Sequence, residues 1–181
     1  VTFLLAPSAS VIYPEKLPVG APMVDENAML DDIFAQVSSS ADVLDLRDVF
    51  TREKDEYLYY KTDHHWTTQG AYLAYQQFCQ LKGLTPFDTA AHETVSIPDF
   101  YGTHYSATRR WDVQPDVITY YPLDNPMTIY DITGETQYSA RKTETMVNTE
   151  KFQTRDKYAA FLDGNNGYSV IEGNGEGSIL V

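Results

Sequence analysis

Asp63-His64-His65-Trp66 is the densest concentration of chemically versatile side chains in the sequence. A catalytic imidazole needs a carboxylate that fixes its tautomer and stabilises the imidazolium, and a hydroxyl or thiol to deprotonate. Asp63 and His65 stand two apart, where a tight turn can aim both side chains to one side and bring the carboxylate to Nδ1. Thr67 and Thr68 follow at the expected start of a helix, whose first amides favour negative charge nearby. Residue types and spacing leave three readings open: a catalytic pair, a metal site, or a capped loop anchored by a buried Trp66. A metal centre needs three or four ligands, each oriented by outer partners. Asp63, His64, His65, His92 and His104 could supply them only if distant loops converge, and no His-any-His or His-Glu-any-any-His spacing is present. Neither a metal nor a cofactor is assigned.

Other candidates are weaker. Ser8 and Ser10 follow the first apolar run, yet no Gly-Asp-Ser pattern surrounds them and Pro7 favours an ordinary loop. Cys79 falls on the apolar face of a helix and reads as a small buried hydrophobe. The segment 100–111 gathers Tyr101, Gly102, His104, Tyr105, Arg109, Arg110 and Trp111. Tyr and Trp stack on sugar rings and Arg fixes carboxylates, which nominates Tyr101, His104, Arg110 and Trp111 as substrate contacts. The plainer account is a surface loop pinned by its aromatic residues. Asp163-Gly-Asn-Asn-Gly167 reads as a β-turn, and His92 as an exposed side chain.

The elements that must position these residues change character along the chain. Val1–Ala6 is a short continuous apolar run, suited to a strand covered on both faces. Residues 7–10 read as a loop and 13–18 as an extended segment, since Pro14 and Pro18 bar the residues before them from helix. A helix is expected from Asp25 to about Ser40, with Met29, Leu30, Ile33, Phe34 and Val37 on one stripe. Asp42–Leu46 and Tyr57–Tyr60 read as strands. Thr67 caps a second helix whose buried face is Ala71, Ala74, Tyr75, Phe78 and Leu81, with Gly83 as its stop. This order is that of an α/β layered domain. Beyond Leu84, extended candidates appear at 93–97, 117–121 and 127–130, then a polar meander or long loop at 133–153. Strands are expected at 157–161 and 168–171, and a central strand at 178–181. The expected organisation is a core of 1–92 and 171–181 into which 93–170 insert a mainly β excursion.

Composition narrows the function classes. Thirteen basic against 26 acidic residues give a net charge of −13, which argues against a phosphate-backbone binder and against adhesion to an anionic membrane. No run of about 18 apolar residues occurs, and no leader pattern is visible. One cysteine rules out a disulfide framework within this chain and any cysteine-rich zinc site. The 13% aromatic content argues against disorder. The sequence starts without Met inside one apolar run and stops inside another, so it is expected to be part of a longer polypeptide.

Tyr59-Tyr-Lys-Thr-Asp-His-His-Trp-Thr-Thr-Gln-Gly-Ala71 resembles the signature of the bacterial DHHW family, itself similar to the alginate O-acetyltransferases. The opening Leu4-Leu-Ala-Pro-Ser8 and Tyr13-Pro-Glu-Lys-Leu-Pro18 resembles the first strand and loop of the same group. The resemblance implies a three-layer, flavodoxin-like, circularly permuted SGNH-hydrolase-like fold. Asp63 would be the orienting acid, His65 the general base, and His64 the variable position. Those relatives place a nucleophilic serine late, after a central apolar strand. Ser178-Ile-Leu-Val181 resembles that strand, so the serine is expected beyond residue 181, with the last core elements absent and the isolated piece inactive. The function so implied is a secreted or cell-surface serine acyltransferase or esterase, acting on O-acetyl groups of a carbohydrate. The acidic balance favours neutral or cationic glycans over polyuronates. The expected partners are a carbohydrate or acyl-donor substrate, with no nucleic acid and no membrane insertion. The other reading is a non-catalytic carbohydrate-binding or scaffold protein.

Overall fold

A computed structural model describes residues 1–132, 138–175 and 178–181. It is a mixed α/β structure with small sheets. β1 (Thr2–Leu5) runs parallel to β2 (Asp42–Asp45), in register from Thr2 opposite Asp42 to Leu5 opposite Asp45. A parallel pair requires a crossover. Here α1 (Ala9–Ile12), a 3-10 turn at Pro14–Lys16 and α2 (Glu26–Val37) supply it. The Asp25 carboxylate caps α2 by accepting from the Ala28 amide at 3.0 Å. Then come α3 (Arg47–Arg52) and α4 (Thr68–Lys82). Thr67 caps α4 by accepting from the Gly70 amide, and Gly83 ends it in the left-handed region at φ 65. Such a cap contributes about 1 kcal/mol.

Several expectations needed correction. Residues 7–10 and 13–18 contain a helical turn and a 3-10 turn, because Pro14 is compatible with the first helical position even though it excludes helix at Tyr13. β1 is half-buried rather than covered on both faces, since it pairs only with β2 among the described residues. Tyr57–Tyr60 makes one bridge, Tyr59 to Trp66, instead of a strand. On α4 the buried residues are Gly70, Ala74 and Cys79, while Tyr75 and Leu81 are exposed, so the inward face is rotated from the expected one. On α2 only Leu30 and Phe34 are buried.

By contacts the chain divides into two compact units, residues 1–92 with 98–119, and 93–97 with 120–181. In the first, Ile12, Leu46, Val49, Phe50, Leu58, Tyr59 and Ala74 form the core. β3 (Val95–Phe100) and β4 (Asp116–Tyr120) form a two-stranded sheet. Between them lies α5 (Thr103–Thr108), where a loop was expected. The second unit contains an antiparallel sheet in the order β6 (Tyr138–Thr143), β5 (Met127–Ile132), β7 (Tyr168–Ile171). Met127 and Ile129 of β5 are buried, and Tyr120, Phe152 and Phe161 pack ring against ring. Of the expected meander at 133–153, residues 133–137 lie outside the described ones, while 138–143 are strand. Lys157–Ala160 is a 3-10 turn rather than a strand. Ser178–Val181 is exposed and has no regular structure, having no strand beside it among the described residues.

Candidate active site

The segment 61–65 is a short loop pinned at its base. The Tyr60 amide donates to the His65 carbonyl at 3.3 Å, and the Thr67 amide to the Leu58 carbonyl at 2.9 Å. Gly70 lets α4 start against this base, since a Cβ there would overlap the Leu58 carbonyl. The loop therefore has little freedom, and the side chain of Asp63 turns back inside it.

Asp63 is 5% exposed. Its Oδ1 accepts from the His65 ring Nδ1 at 2.5 Å and from the His65 amide at 2.9 Å. Its Oδ2 accepts from the Thr103 amide at 2.7 Å. Burial works against the charged form. The Thr103 amide, the His65 amide and the His65 ring outweigh it, so the carboxyl sits below its ordinary value of 3.8. A neutral imidazole donating from Nδ1 carries its lone pair on Nε2, which is the tautomer a general base needs. The His65 side chain is 37% exposed, so this ring joins a buried carboxylate to solvent.

Two further residues, His64 and Gly102, build the wall around the pair. The His64 ring lies 3.9 Å from the His65 ring, centroid to centroid, and its Nδ1 meets the Thr103 hydroxyl at 2.7 Å. Gly102 packs against Asp63 so closely that a Cβ would overlap the carboxylate. Its requirement is steric, because its φ of −85 is open to any residue. The loop after β3 thus reaches Asp63 only because position 102 lacks a side chain.

Asp116 is the residue that sequence reasoning missed. It is 3% exposed, and it accepts from the Tyr57 hydroxyl, the Lys61 amide at 3.0 Å, the Thr62 amide at 2.7 Å and the Thr62 hydroxyl at 2.6 Å. Thr62 Oγ1 also accepts from the Gly102 amide at 3.1 Å. One buried carboxylate on β4 therefore fixes both the loop before Asp63 and, through Thr62, the loop carrying Thr103. Burial and then Asp116 push the Tyr57 phenol well above its ordinary value. No local signal marks Asp116, whose partners stand 54 to 59 positions away.

The remaining sequence candidates are dispersed. Tyr101 stacks near Tyr105 at 4.4 Å. The His104 ring lies 6.3 Å from the His64 ring, which brings it beside the pair. Arg110 is bound to Asp112 at 2.5 Å, and Trp111 is 95% exposed. The Ser8 hydroxyl donates to Glu26 at 2.5 Å. Cys79 is buried, and His92 is exposed with its Nδ1 3.0 Å from the Asp88 carbonyl. Trp66 is half-buried and stacks on Phe50 at 6.2 Å. Asp63, His64 and His65 bring possible metal-ligand atoms within 4.8 Å of one another. Both Asp63 oxygens and both Nδ1 atoms are engaged in hydrogen bonds, in which the two Nε2 atoms take no part.

A family model described as DHHW protein matches residues 27–180. Among solved structures, the chain is similar to a DHHW family protein from Eubacterium siraeum, with a TM-score of 0.74 and 23% identity over 97% of this chain and 58% of that one. It is also similar to the O-acetyltransferase domain of AlgJ from Pseudomonas putida, with a TM-score of 0.50 and 14% identity over 90% of this chain and 58% of that one. In both cases the chain spans less than two thirds of the solved relative. No curated protein matches the sequence. These likenesses establish a shared α/β fold, and no helix among the described residues is long and apolar enough to cross a membrane.

Proposed function

The chain belongs to the DHHW family, and from that premise we propose that it carries the histidine and carboxylate of a serine O-acyltransferase or esterase acting on a carbohydrate. The observation that carries this reading is the 2.5 Å bond from His65 Nδ1 to a buried, amide-held Asp63, with the imidazole reaching solvent. The likeness to an O-acetyltransferase domain supports acetyl as the group moved. The fold is read as a permuted SGNH-like core, and the location as extracellular or at the cell surface.

The nucleophile is assigned to a serine outside the 181 residues; the solved relatives are longer, which leaves room for it. His65 Nε2 takes the proton of that serine as its Oγ attacks the acyl carbonyl. The tetrahedral intermediate collapses by expelling the donor alcohol, which leaves with the proton returned by His65. An acyl-serine remains. In the second half His65 deprotonates a sugar hydroxyl or water, which attacks the acyl-serine and releases the serine oxygen, reprotonated by His65. Asp63 keeps Nδ1 protonated throughout and stabilises the imidazolium, as triad carboxylates do. His104 and Tyr101 are assigned to substrate contact, with Arg110 and Trp111 reaching it only through a longer ligand.

The test is turnover of p-nitrophenyl acetate by the full-length protein. His65→Ala and Asp63→Asn are each expected to lose about 10⁴-fold in kcat. Rates equal to wild type would remove the pair from the mechanism. Unchanged carbohydrate binding without any turnover in wild type would instead support the non-catalytic binder.

A further inference from the structure

We infer that a cleft beside His104 is a carbohydrate subsite built for neutral sugar rings. This rests on the acyl-transfer reading only for calling the sugar an acceptor; the binding itself stands apart from it. The cleft has a volume of about 580 Å³ and is lined by residues from α1 and the 3-10 turn after it, by the turn after α3, by residues 57–61, and by His104 of α5. Its size is ordinary for a small-molecule site. It lies beside the candidate pair through an unbroken run of rings. His104 lines it and is 6.3 Å from His64, which is 3.9 Å from His65.

The lining has the composition that sugars require: flat aromatic surface with both donors and acceptors around it. Tyr57 is 40% exposed, and its hydroxyl is tied to buried Asp116 while its ring meets Tyr60 edge-on at 6.1 Å. Its ring is therefore held in place before any ligand arrives, which lowers the entropy cost of stacking. Tyr13 is held likewise against Tyr59, with Lys16 Nζ 3.9 Å from its ring centroid. Tyr57 is thus the platform.

Charge decides the sugar class. Lys16, Lys54 and Lys61 line the cleft together with Asp55 and Glu56. Lys54 is paired with Glu15 at 3.3 Å, leaving two cations and two carboxylates. Such a set donates to and accepts from sugar hydroxyls without favouring either sign of charge. The surrounding chain, at −13, repels polyanions. Acidic glycans are therefore disfavoured and neutral hexose or N-acetylhexosamine chains are favoured.

The experiment is an amide-shift titration of the 15N-labelled chain with chitotetraose and, separately, with tetragalacturonate. Chitotetraose is expected to shift the amides of Tyr57, Lys61 and His104, with the uronate binding at least about tenfold more weakly. Lys61→Ala and Glu56→Gln, both at exposed positions, should each weaken chitotetraose by about tenfold, the scale of one charged hydrogen bond. Shifts confined to Tyr101–Trp111, preference for the uronate, or no shift with either sugar would each overturn the inference. The acyl-transfer reading is judged separately by turnover in the full-length protein, so the two fail independently.

Discussion

Two carboxylates, Asp63 in the first unit and Asp163 in the second, sit below the ordinary value for an Asp side chain for opposite reasons. Asp63 is buried and accepts from two backbone amides and one imidazole, with no Lys or Arg bound to it among the described residues. Asp163 lies in a turn of left-handed residues, Leu162 at φ 52 and itself at φ 59, and is clamped by Lys151 Nζ at 2.8 Å and Arg141 at 2.5 Å. Amide dipoles hold a charge without cancelling it, whereas two cations cancel it. A carboxylate that must stabilise an imidazolium has to keep its field; one that pins a strained turn does not. On the proposed reading, that difference in how the charge is held is what distinguishes the proton-handling carboxylate from the one that holds a turn.

The largest effect on folding is expected where the dipole-held network converges. Asp116→Ala leaves four donors without their acceptor, three of them on the two residues that precede Asp63. The loss should be about 3–5 kcal/mol in urea unfolding, since each buried donor left unpaired costs about 1–3 kcal/mol and several are left together. High salt should leave that loss unchanged, since Asp116 is buried and its donors are uncharged. A loss below 1 kcal/mol would mean that Asp116 is a bystander and that the loop is held by its backbone bonds alone.

A smaller loss is expected from Gly102→Ala, because the added Cβ overlaps the Asp63 side chain. Overpacking of this kind costs about 1–3 kcal/mol. Its signature should be specific: the low-field proton shared by His65 Nδ1 and Asp63 should shift or vanish in NMR spectra while the Asp163 turn is unaffected. An unchanged proton would show that Asp63 has room to move, and the contrast with a rigid dipole-held carboxylate would weaken.

What could be read from the sequence follows the range of the interactions. The helix α4 was legible from Thr67 at one end and Gly83 at the other, since both signals act within a turn of the residues they control. The Asp63–His65 pair was legible as a juxtaposition for the same reason, being two residues apart. Asp116 was not legible because its role consists of contacts more than 50 positions away. Gly102 was noticed as a glycine, but the carboxylate it admits lies 39 positions back on another loop. The expected strand at 157–161 failed because Tyr158 and Phe161 suit a strand by type, while the chain there closes 3-10 bonds and meets its neighbour in one bridge, Val147 to Phe161. Short apolar runs carry no period long enough to separate the two. α3 went unread because Arg47-Asp48 looks like a departing loop, although Val49 and Phe50 behind it enter the core.

The smallest effect tests the other half of the comparison. Asp163 has its pKa lowered to about 2, first by the hydrogen bond from Lys151, then, against burial, by Asn148 and Arg141. A carboxyl whose folded value lies below its unfolded 3.8 stabilises the fold fully above that pH, and the contribution fades as pH falls from about 3.8 towards 2. Asp163→Asn should therefore cost about 1 kcal/mol at pH 7, a modest figure because Lys151 and Arg141 are partly exposed. Wild type and variant should converge in stability near pH 2, and also in 1 M NaCl, where exposed pairs are screened. Asp63 follows the same sign with pH, since its own value is lowered too, but its amide partners give salt little to screen. The two carboxylates thus separate along the salt axis rather than the pH axis. If Asp163→Asn lost the same stability in 1 M salt as in none, the turn would be held by the Asn148 hydrogen bond instead of by its cations, and the contrast between cancelled and uncancelled charge would fail in the second unit.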